Sequence, residues 1–195
     1  MPLDNARTRY YAGIDPAKRN VGVAVIAITY DELERKTIRI SPPRDSDGVQ
    51  LLIELRTRVD LFLRKTTGDN LLTASTIEGP SLYSVNRADD LGQVRGVLSL
   101  VLADFSRKLP EIIPPSSLKK FATGRGNATK NIMVSRAEHN WGMLSEDEAD
   151  AAWLAEFALA LNEPRTLTRK QIEAIDGIKI KHKTHASTRT GGLNI

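Results

Sequence analysis

Asp15 closes the apolar run YYAGID, and Glu78 closes a second run, TASTIE, about sixty residues later. Each is followed at once by a turn or stop signal, DPAKRN after the first and Gly79-Pro80 after the second. If the two runs are neighbouring parallel strands, both carboxylates emerge at the same carboxyl edge of a sheet, where α/β proteins keep their sites. Asp147 and Asp150 stand at i and i+3 in EDEADAAWLA, so one helical face carries both, and a helix packed beside that edge brings them to the same place. Four hard oxygen donors without His or Cys suit Mg²⁺ or Mn²⁺ rather than zinc. A lone strand-end aspartate is usually a turn former; the combination of two edge acids, an acidic helix face and basic flanks points to chemistry.

Those flanks are visible in the charge distribution. Residues 1–105 carry 14 basic and 14 acidic side chains, 106–140 carry 7 and 2, 141–163 carry 0 and 6, and 164–195 carry 7 and 2. Clustered carboxylates repel one another and raise each other's pKa, so a cation that neutralises them favours their retention. Basic stretches on either side suit a ligand that is itself a polyanion. The plainer alternative, that acids at a helix start complement its dipole, stays open on charge alone.

Composition narrows the field further. With 195 residues, 41% hydrophobic and 27% charged, the chain has enough length for one compact domain with a tail, or two small ones. It contains no cysteine, which excludes a disulfide framework, a thiol nucleophile and cysteine-ligated clusters. The longest apolar run, Val21 to Ile28, is far shorter than the roughly 20 residues a membrane helix needs. The start MPLDNARTR lacks a signal-peptide apolar region. The expectation is a soluble cytoplasmic protein with no membrane partner.

The elements that must position the acids can be read from periodicity. Strands are predicted through YYAGID, VGVAVIAITY and a short TIRI, the near-continuous apolar stretch indicating burial on both faces. Val49 to Lys65 reads as an amphipathic helix, followed by the strand ending at Glu78, a long helix from Leu91 to Lys108, and a short strand EIIP. PSSLKKFATGRGN is a helix with a loop, and helices are expected over Asn127–Trp141 and Ser145–Leu161, the latter capped by Ser145. Thr168 and Gln171 form a capping-box start for a last short helix. A meander followed by strands alternating with helices predicts an α/β sheet with helices on both faces. In the long helix Leu91, Val94, Leu98, Val101, Leu102 and Phe105 make one stripe, which Val97 and Leu100 widen, while Gly92 and Gly96 leave room for close packing. That pattern predicts either a dimer interface or a fully buried helix.

Taken together, GIDPAKRNVGVAVI, TIEG, LGQVRGVL, PPSSLKKFATGRGNATK and EDEADAAWLA resemble, in order and spacing from about Tyr10 to Leu161, a RuvC-type Holliday-junction resolvase, of viral or divergent bacterial type. The resemblance implies a ribonuclease H-like mixed five-stranded sheet with helices on both faces. It implies that Asp15, Glu78, Asp147 and Asp150 bind two Mg²⁺ ions, with Mn²⁺ able to substitute, for in-line phosphodiester hydrolysis leaving a 5′ phosphate. Lys119 and Lys130 coincide with family positions where lysines support phosphate binding and cleavage, which adds them to the catalytic set. Gly124 and Gly126 permit close backbone approach to a phosphate, and Lys120 and Arg125 are further DNA contacts. The sequence departs from the family pattern at Ala17, where glycine is usual, and in the loop after Glu78, where Tyr83 is the nearest aromatic able to stack on an opened base.

The expected function is a homodimeric endodeoxyribonuclease of DNA recombination and repair that resolves four-way junctions by paired nicks. The alternatives are a less selective nuclease for Y-junctions or forks, and a non-catalytic structure-specific DNA-binding protein. A nuclease domain is expected over residues 1–176 and a flexible basic tail over 177–195, which would strengthen DNA binding without choosing the cut site.

Overall fold

The computed structural model describes residues 7–178 apart from 31, 69 and 81–87, with no side-chain description at 88 and 89. Tyr83 and residues 179–195 of the expected tail therefore lie outside the described residues. Three strands, β1 (Arg9–Asp15), β2 (Val21–Thr29) and β3 (Glu32–Ile40), form an antiparallel meander. They are followed by α1 (Gly48–Thr67), β4 (Leu72–Glu78), α2 (Ala88–Ser106), β5 (Glu111–Ile113), α3 (Pro115–Thr123), α4 (Lys130–Trp141) and α5 (Glu146–Asn162), then a helix α6 over residues 169–178. The strands make one mixed sheet in the order β3-β2-β1-β4-β5, with β4 parallel to β1 and β5 parallel to β4. The expected sheet is thus present, and its neighbouring parallel pair is the one that ends in Asp15 and Glu78.

Strand alternation divides the core in two. Ala12, Ile14, Val21, Val23 and Val25 face α1 and α2, whose buried stripes are Leu51, Leu55, Val59 and Leu63 on one helix and Val94, Leu98, Val101, Leu102 and Phe105 on the other. Most of the apolar stripe of α2 that sequence periodicity offers to a second subunit is therefore spent on the chain's own sheet. What α2 leaves exposed, among its described side chains, is Gly92, Gly96 and Leu100 together with the polar Asp90, Gln93 and Asp104. On the opposite sheet face Tyr11, Ala24 and Ile26 pack against Ala151, Ala152, Ala155 and Ala158 of α5, and the far side of α5 packs on α3, α4 and α6 through Trp153, Phe157, Phe121, Met133 and Ile175. A helix covered on both sides must be mostly apolar all round, and from Ala151 to Ala160 α5 is, its one charge, the buried Glu156, being paired with Arg35 and Arg165.

Two glycines set how closely α5 lies on the sheet. A β-carbon on Gly13 would fall 2.2 Å from the backbone nitrogen of Ala155, and one on Gly22 would fall 1.9 Å from the carbonyl oxygen of Asp147. Thr76 adds a tie from β4, donating its hydroxyl to the Leu154 carbonyl at 2.8 Å.

Two elements differ from sequence expectation in extent. β3 begins at Glu32 rather than within TIRI, because its charged first half ELERK is the outer strand of a hairpin whose ladder with β2 runs from Glu32 to Ile40. The last described helix reaches Ile178, which is buried with Ala174 and Ile175, so it takes in the first two residues of the expected tail. The two capping expectations hold: Ser145 and Glu148 form a reciprocal capping box at the start of α5, and Thr168 exchanges hydrogen bonds with Gln171 before α6. No described helix is long and apolar enough to cross a membrane.

Candidate active site

Asp15 ends β1 and Glu78 ends β4, and residue parity places both on the sheet face that α5 covers, Asp15 in phase with Tyr11 and Glu78 in phase with Thr76. Gly22 is the ladder partner of Asp15, and the Asp147 backbone sits directly over Gly22. The first turn of α5 is thereby held beside the Asp15 carboxylate, with Asp150 one turn further along. Glu78 hydrogen-bonds Asp15 and feels the charge of Asp150, and Asp15 feels Glu78, Asp150 and Asp147. The four carboxylates named from the sequence therefore face one another from three separate elements.

Their protonation shows how crowded the cluster is. Burial, then the charges of Glu78, Asp150 and Asp147, push Asp15 well above the usual carboxylate range against the pull of Lys130. Burial and Asp150 raise Glu78 to about 7, although the hydrogen bond from Asp15 and the charges of Lys130 and Lys119 oppose the rise. Burial also raises Asp150 to about 6, with Lys130 and Lys119 again opposing and Asp147 and Glu146 adding to it. Asp147 is raised too, chiefly by burial, while Lys130 and Arg39 hold it back. Among the described residues no three acids are gathered into a ready-formed ion cage; they act on one another through space, as uncompensated like charges do. The donor set nevertheless fits a hard divalent cation, being all carboxylate oxygen and carrying more negative charge than the facing lysines cancel.

Lys130, at the start of α4, looks into the cluster. Burial alone would lower its pKa, but Asp150, Asp15, Glu146 and Asp147 outweigh burial and raise it, and its Nζ lies 3.7 Å from Glu146. Lys119 on α3 acts on both Glu78 and Asp150. The other proposed DNA contacts are placed differently. Lys120 turns away to an ion pair with Glu173 of α6 at 2.8 Å, because successive helical residues point in different directions. Gly124 terminates α3 in the left-handed region at φ 84°, its N–H donating to the Lys120 carbonyl, and a β-carbon on Gly126 would press to 3.2 Å from the Ser116 carbonyl. Both glycines thus have local packing reasons to be glycine. Arg125 between them is exposed. In the turn after β1, Ala17 adopts no positive φ, so the missing family glycine costs nothing there; Lys18 pairs with Asp90 at 2.6 Å and Arg19 donates to the Pro43 carbonyl.

Two cations beside the cluster escape sequence reasoning. Arg95 of α2 donates from Nε to the Glu78 carbonyl at 2.9 Å, and its guanidinium, lowered by burial and raised by Glu78, anchors the end of β4. Arg39 of β3 pairs in the ladder with Gly22 and acts on Asp147 and Glu148. Neither position has a local signal, since each meets the acids only through the sheet order. The tryptophans are structural: Trp141 lies 4.5 Å from Trp153 and under the Arg35 guanidinium at 4.2 Å. His139 is exposed on α4.

No protein-family model and no curated protein sequence matches this chain. Solved structures do. A Thermus thermophilus RuvC structure superposes with a TM-score of 0.59 at 21% identity, covering 75% of this chain and 90% of that one. T. thermophilus RuvC in complex with Holliday junction substrate superposes with a TM-score of 0.61 at the same 21% identity, and again over 75% of this chain and 90% of the other. The mixed five-stranded sheet with helices on both faces is accordingly the RuvC-type, ribonuclease H-like fold.

Proposed function

We propose that this chain is a metal-dependent, structure-specific endodeoxyribonuclease that acts on four-way DNA junctions as a homodimer. One observation carries the proposal: Asp15, Glu78, Asp147 and Asp150 meet from β1, β4 and α5 with Lys130 and Lys119 turned toward them. A cluster of raised carboxylates is costly to maintain in an apo fold and useful for holding cations. Likeness to a RuvC bound to a Holliday junction supports branched DNA as the substrate class.

In this reading the four carboxylates would hold two Mg²⁺ ions, and Mn²⁺ in their place. When bound, such ions lower the pKa of water and stabilise the departing oxygen. The chain's own part is to bind and orient. Lys130 and Lys119 bring positive charge to the same spot from a second side, where they would hold non-bridging phosphate oxygens. Gly22 and Gly13 keep α5 seated so that Asp147 and Asp150 stay opposite Asp15. Arg95 fixes the backbone of Glu78. The overall reaction adds water to phosphorus and breaks the bond to the 3′ oxygen, leaving a 5′ phosphate and a 3′ hydroxyl.

The dimer is proposed through the exposed face of α2, where Gly92, Gly96 and Leu100 recur every four residues on one side of the helix. A β-carbon on either glycine would meet nothing within 4 Å, so another helix can approach closely there. A two-fold axis at this face sets two sites against two strands of a symmetric junction.

Labelled four-way, three-way, forked and linear DNA, compared at equal concentration with Mg²⁺, tests the proposal. Paired symmetric nicks confined to the four-way substrate are expected, with Asp15→Asn inactive but still binding the junction in Ca²⁺. Equal cutting of forks identifies the less selective nuclease, and binding without cutting by the intact chain identifies a DNA-binding protein alone.

A further inference from the structure

We infer that the groove between the open edge of β3 and helix α1 is a second DNA track, which receives the phosphate backbone of a duplex arm leaving the carboxylate cluster. This rests on the nucleic-acid reading above and extends it to a surface outside the cluster. β3 is the outer strand of the sheet, and its free edge faces α1 across a groove of about 800 Å³. Lys36 and Arg39 line the strand side, Arg58 and Lys65 line the helix side, and no carboxylate lines it. Between them lie Ile38, Leu61 and Phe62.

The spacing suits a polyanion. Arg58, Leu61, Phe62 and Lys65 share one face of α1 by their i, i+3, i+4, i+7 spacing, and seven helical residues span roughly 10 Å. Lys36 stands on the α1 face of β3 beside its ladder partner Val25, whereas Arg39, three residues on, points to the α5 face at the same edge. A track of that length, with Arg58 and Lys65 on the helix and Lys36 across from them on the strand, covers about three phosphates at the ~3.4 Å rise per nucleotide of one strand. The existing counter-charges are weak competitors: Lys36 reaches Glu34 at 3.3 Å, largely in solvent, and Arg58 reaches a half-buried Glu54 at 3.1 Å within its own helix, and surface pairs of this kind contribute little. Lys65 has no ion pair among the described residues.

Arg39 joins the groove to the cluster. Asp15, Gly22 and Arg39 form one row across β1, β2 and β3, which puts the Arg39 backbone roughly 10 Å from that of Asp15 at ordinary strand spacing. Arg39 lies on the α5 side of the sheet with Asp15, so a strand bound at the carboxylates passes Arg39 and rounds the open edge of β3 to reach the groove on the α1 side. The same edge is unsuited to an added protein strand. Glu32, Glu34, Arg35, Lys36 and Arg39 crowd it with charge, the pattern that protects edges from strand pairing.

The chain has no cysteine, so a single one can be introduced and labelled cleanly. Leu61→Cys carrying a photo-crosslinker is expected to crosslink to a blunt 30-base-pair duplex and to the arms of a four-way junction in Ca²⁺. The triple charge reversal Lys36→Glu, Arg58→Glu, Lys65→Glu is expected to reduce the log–log salt slope of duplex binding by roughly 3, at about 0.9 for each lost phosphate contact. An unchanged slope in that variant overturns the groove, and so does a Leu61 crosslink to a second protein chain instead of DNA. Neither readout needs cleavage: loss of the nuclease reading shows as no Mg²⁺-dependent cutting by the wild-type chain, whereas failure of the groove shows with cutting intact.

Discussion

The carbonyl oxygen of Asp147 occupies the space that a side chain on Gly22 would need, with a β-carbon there falling 1.9 Å away. Gly22 is also the ladder partner of Asp15, so one missing side chain sets the distance between an acid on the sheet and an acid on the helix. Gly22→Ala must push the first turn of α5 outward. Overpacking of this kind costs about 1–3 kcal/mol, and misplacing a catalytic group by about 1 Å costs on the order of 100-fold in rate. Urea denaturation should show the loss of stability, and cleavage under folding conditions should fall at least tenfold. Wild-type cleavage by a folded Gly22→Ala chain would show that this seat does not position the acids.

Raised carboxylates make the metal-free protein sensitive to alkali rather than acid. Burial lifts Glu78 from 4.5 to about 7 and Asp150 from 3.8 to about 6. Each folded carboxyl thus holds its proton more tightly than the unfolded chain does. The resulting stabilisation is complete below the unfolded values and is lost as pH rises through about 6 and 7. Glu148, buried slightly but held low by Ser145 and Thr37, acts in the opposite direction at lower pH. In chelator, the melting temperature should drop as pH is raised from about 5 to 8, Asp150→Asn should flatten the drop, and Mg²⁺ should restore stability at the alkaline end. A flat wild-type profile in chelator contradicts the crowding described here.

Adjacent lysines on α3 and the first lysine of α4 should behave differently. Lys130 and Lys119 act on the acids, whereas Lys120 is tied to Glu173. Replacing Lys130 or Lys119 by alanine is expected to lower kcat/KM by roughly 10- to 100-fold, in the range of a lost charged transition-state contact. Lys120→Ala should leave cleavage within about twofold and cost no more than an exposed ion pair, ~1 kcal/mol or less. Steady-state cleavage of a labelled junction by the three variants separates these cases; equal losses would mean that all three contact DNA.

Arg95 supports Glu78 through its backbone, with its Nε 2.9 Å from the Glu78 carbonyl. Arg95→Ala leaves that carbonyl without its partner and removes positive charge beside a carboxyl already pushed up. Stability should fall by about 1–3 kcal/mol, and the alkaline drop of the metal-free melting profile should deepen and extend to higher pH, because Glu78 without that positive charge holds its proton further up the scale. Arg95→Lys should restore part of the charge effect without the fixed geometry. Identical profiles for Arg95→Ala and wild type would reduce Arg95 to a packing residue.

Local patterns carried most of the fold into view. Near-continuous apolar runs marked the buried strands, the stop at Gly79-Pro80 marked the end of β4, and Ser145 and Thr168 marked helix starts that the structure caps as expected. The spacing of Asp147 and Asp150 was legible because helical periodicity alone puts them on one face. Their meeting with Asp15 and Glu78 depended on strand order, which periodicity does not encode. Arg39 and Arg95 were hidden for the same reason: each is an ordinary basic residue until β3 lies two strands from β1 and α2 crosses the end of β4. The charged first half of β3 escaped because an edge strand need not alternate apolar and polar residues. The apolar stripe of α2 served the chain's own core because the sheet needs that face covered, leaving a narrower patch for any partner.

That patch makes the last prediction specific. Leu100 is 64% exposed, and it shares one i, i+4 row of α2 with the exposed Gly92, Gly96 and Asp104. Leu100→Glu adds charge at the centre of the proposed two-fold contact, where two copies would bring like charges together, yet it touches nothing in the core. The variant should unfold at the wild-type urea midpoint within about 0.5 kcal/mol, as an exposed change away from packing does. In light scattering it should run near 21.5 kDa, while the wild type runs near twice that mass. On a four-way junction it should nick single strands without the paired second cut, because the second site no longer arrives with the first. If Leu100→Glu leaves both the mass and the paired cutting unchanged, α2 is not the contact, and the two-fold axis must lie on another face of the chain.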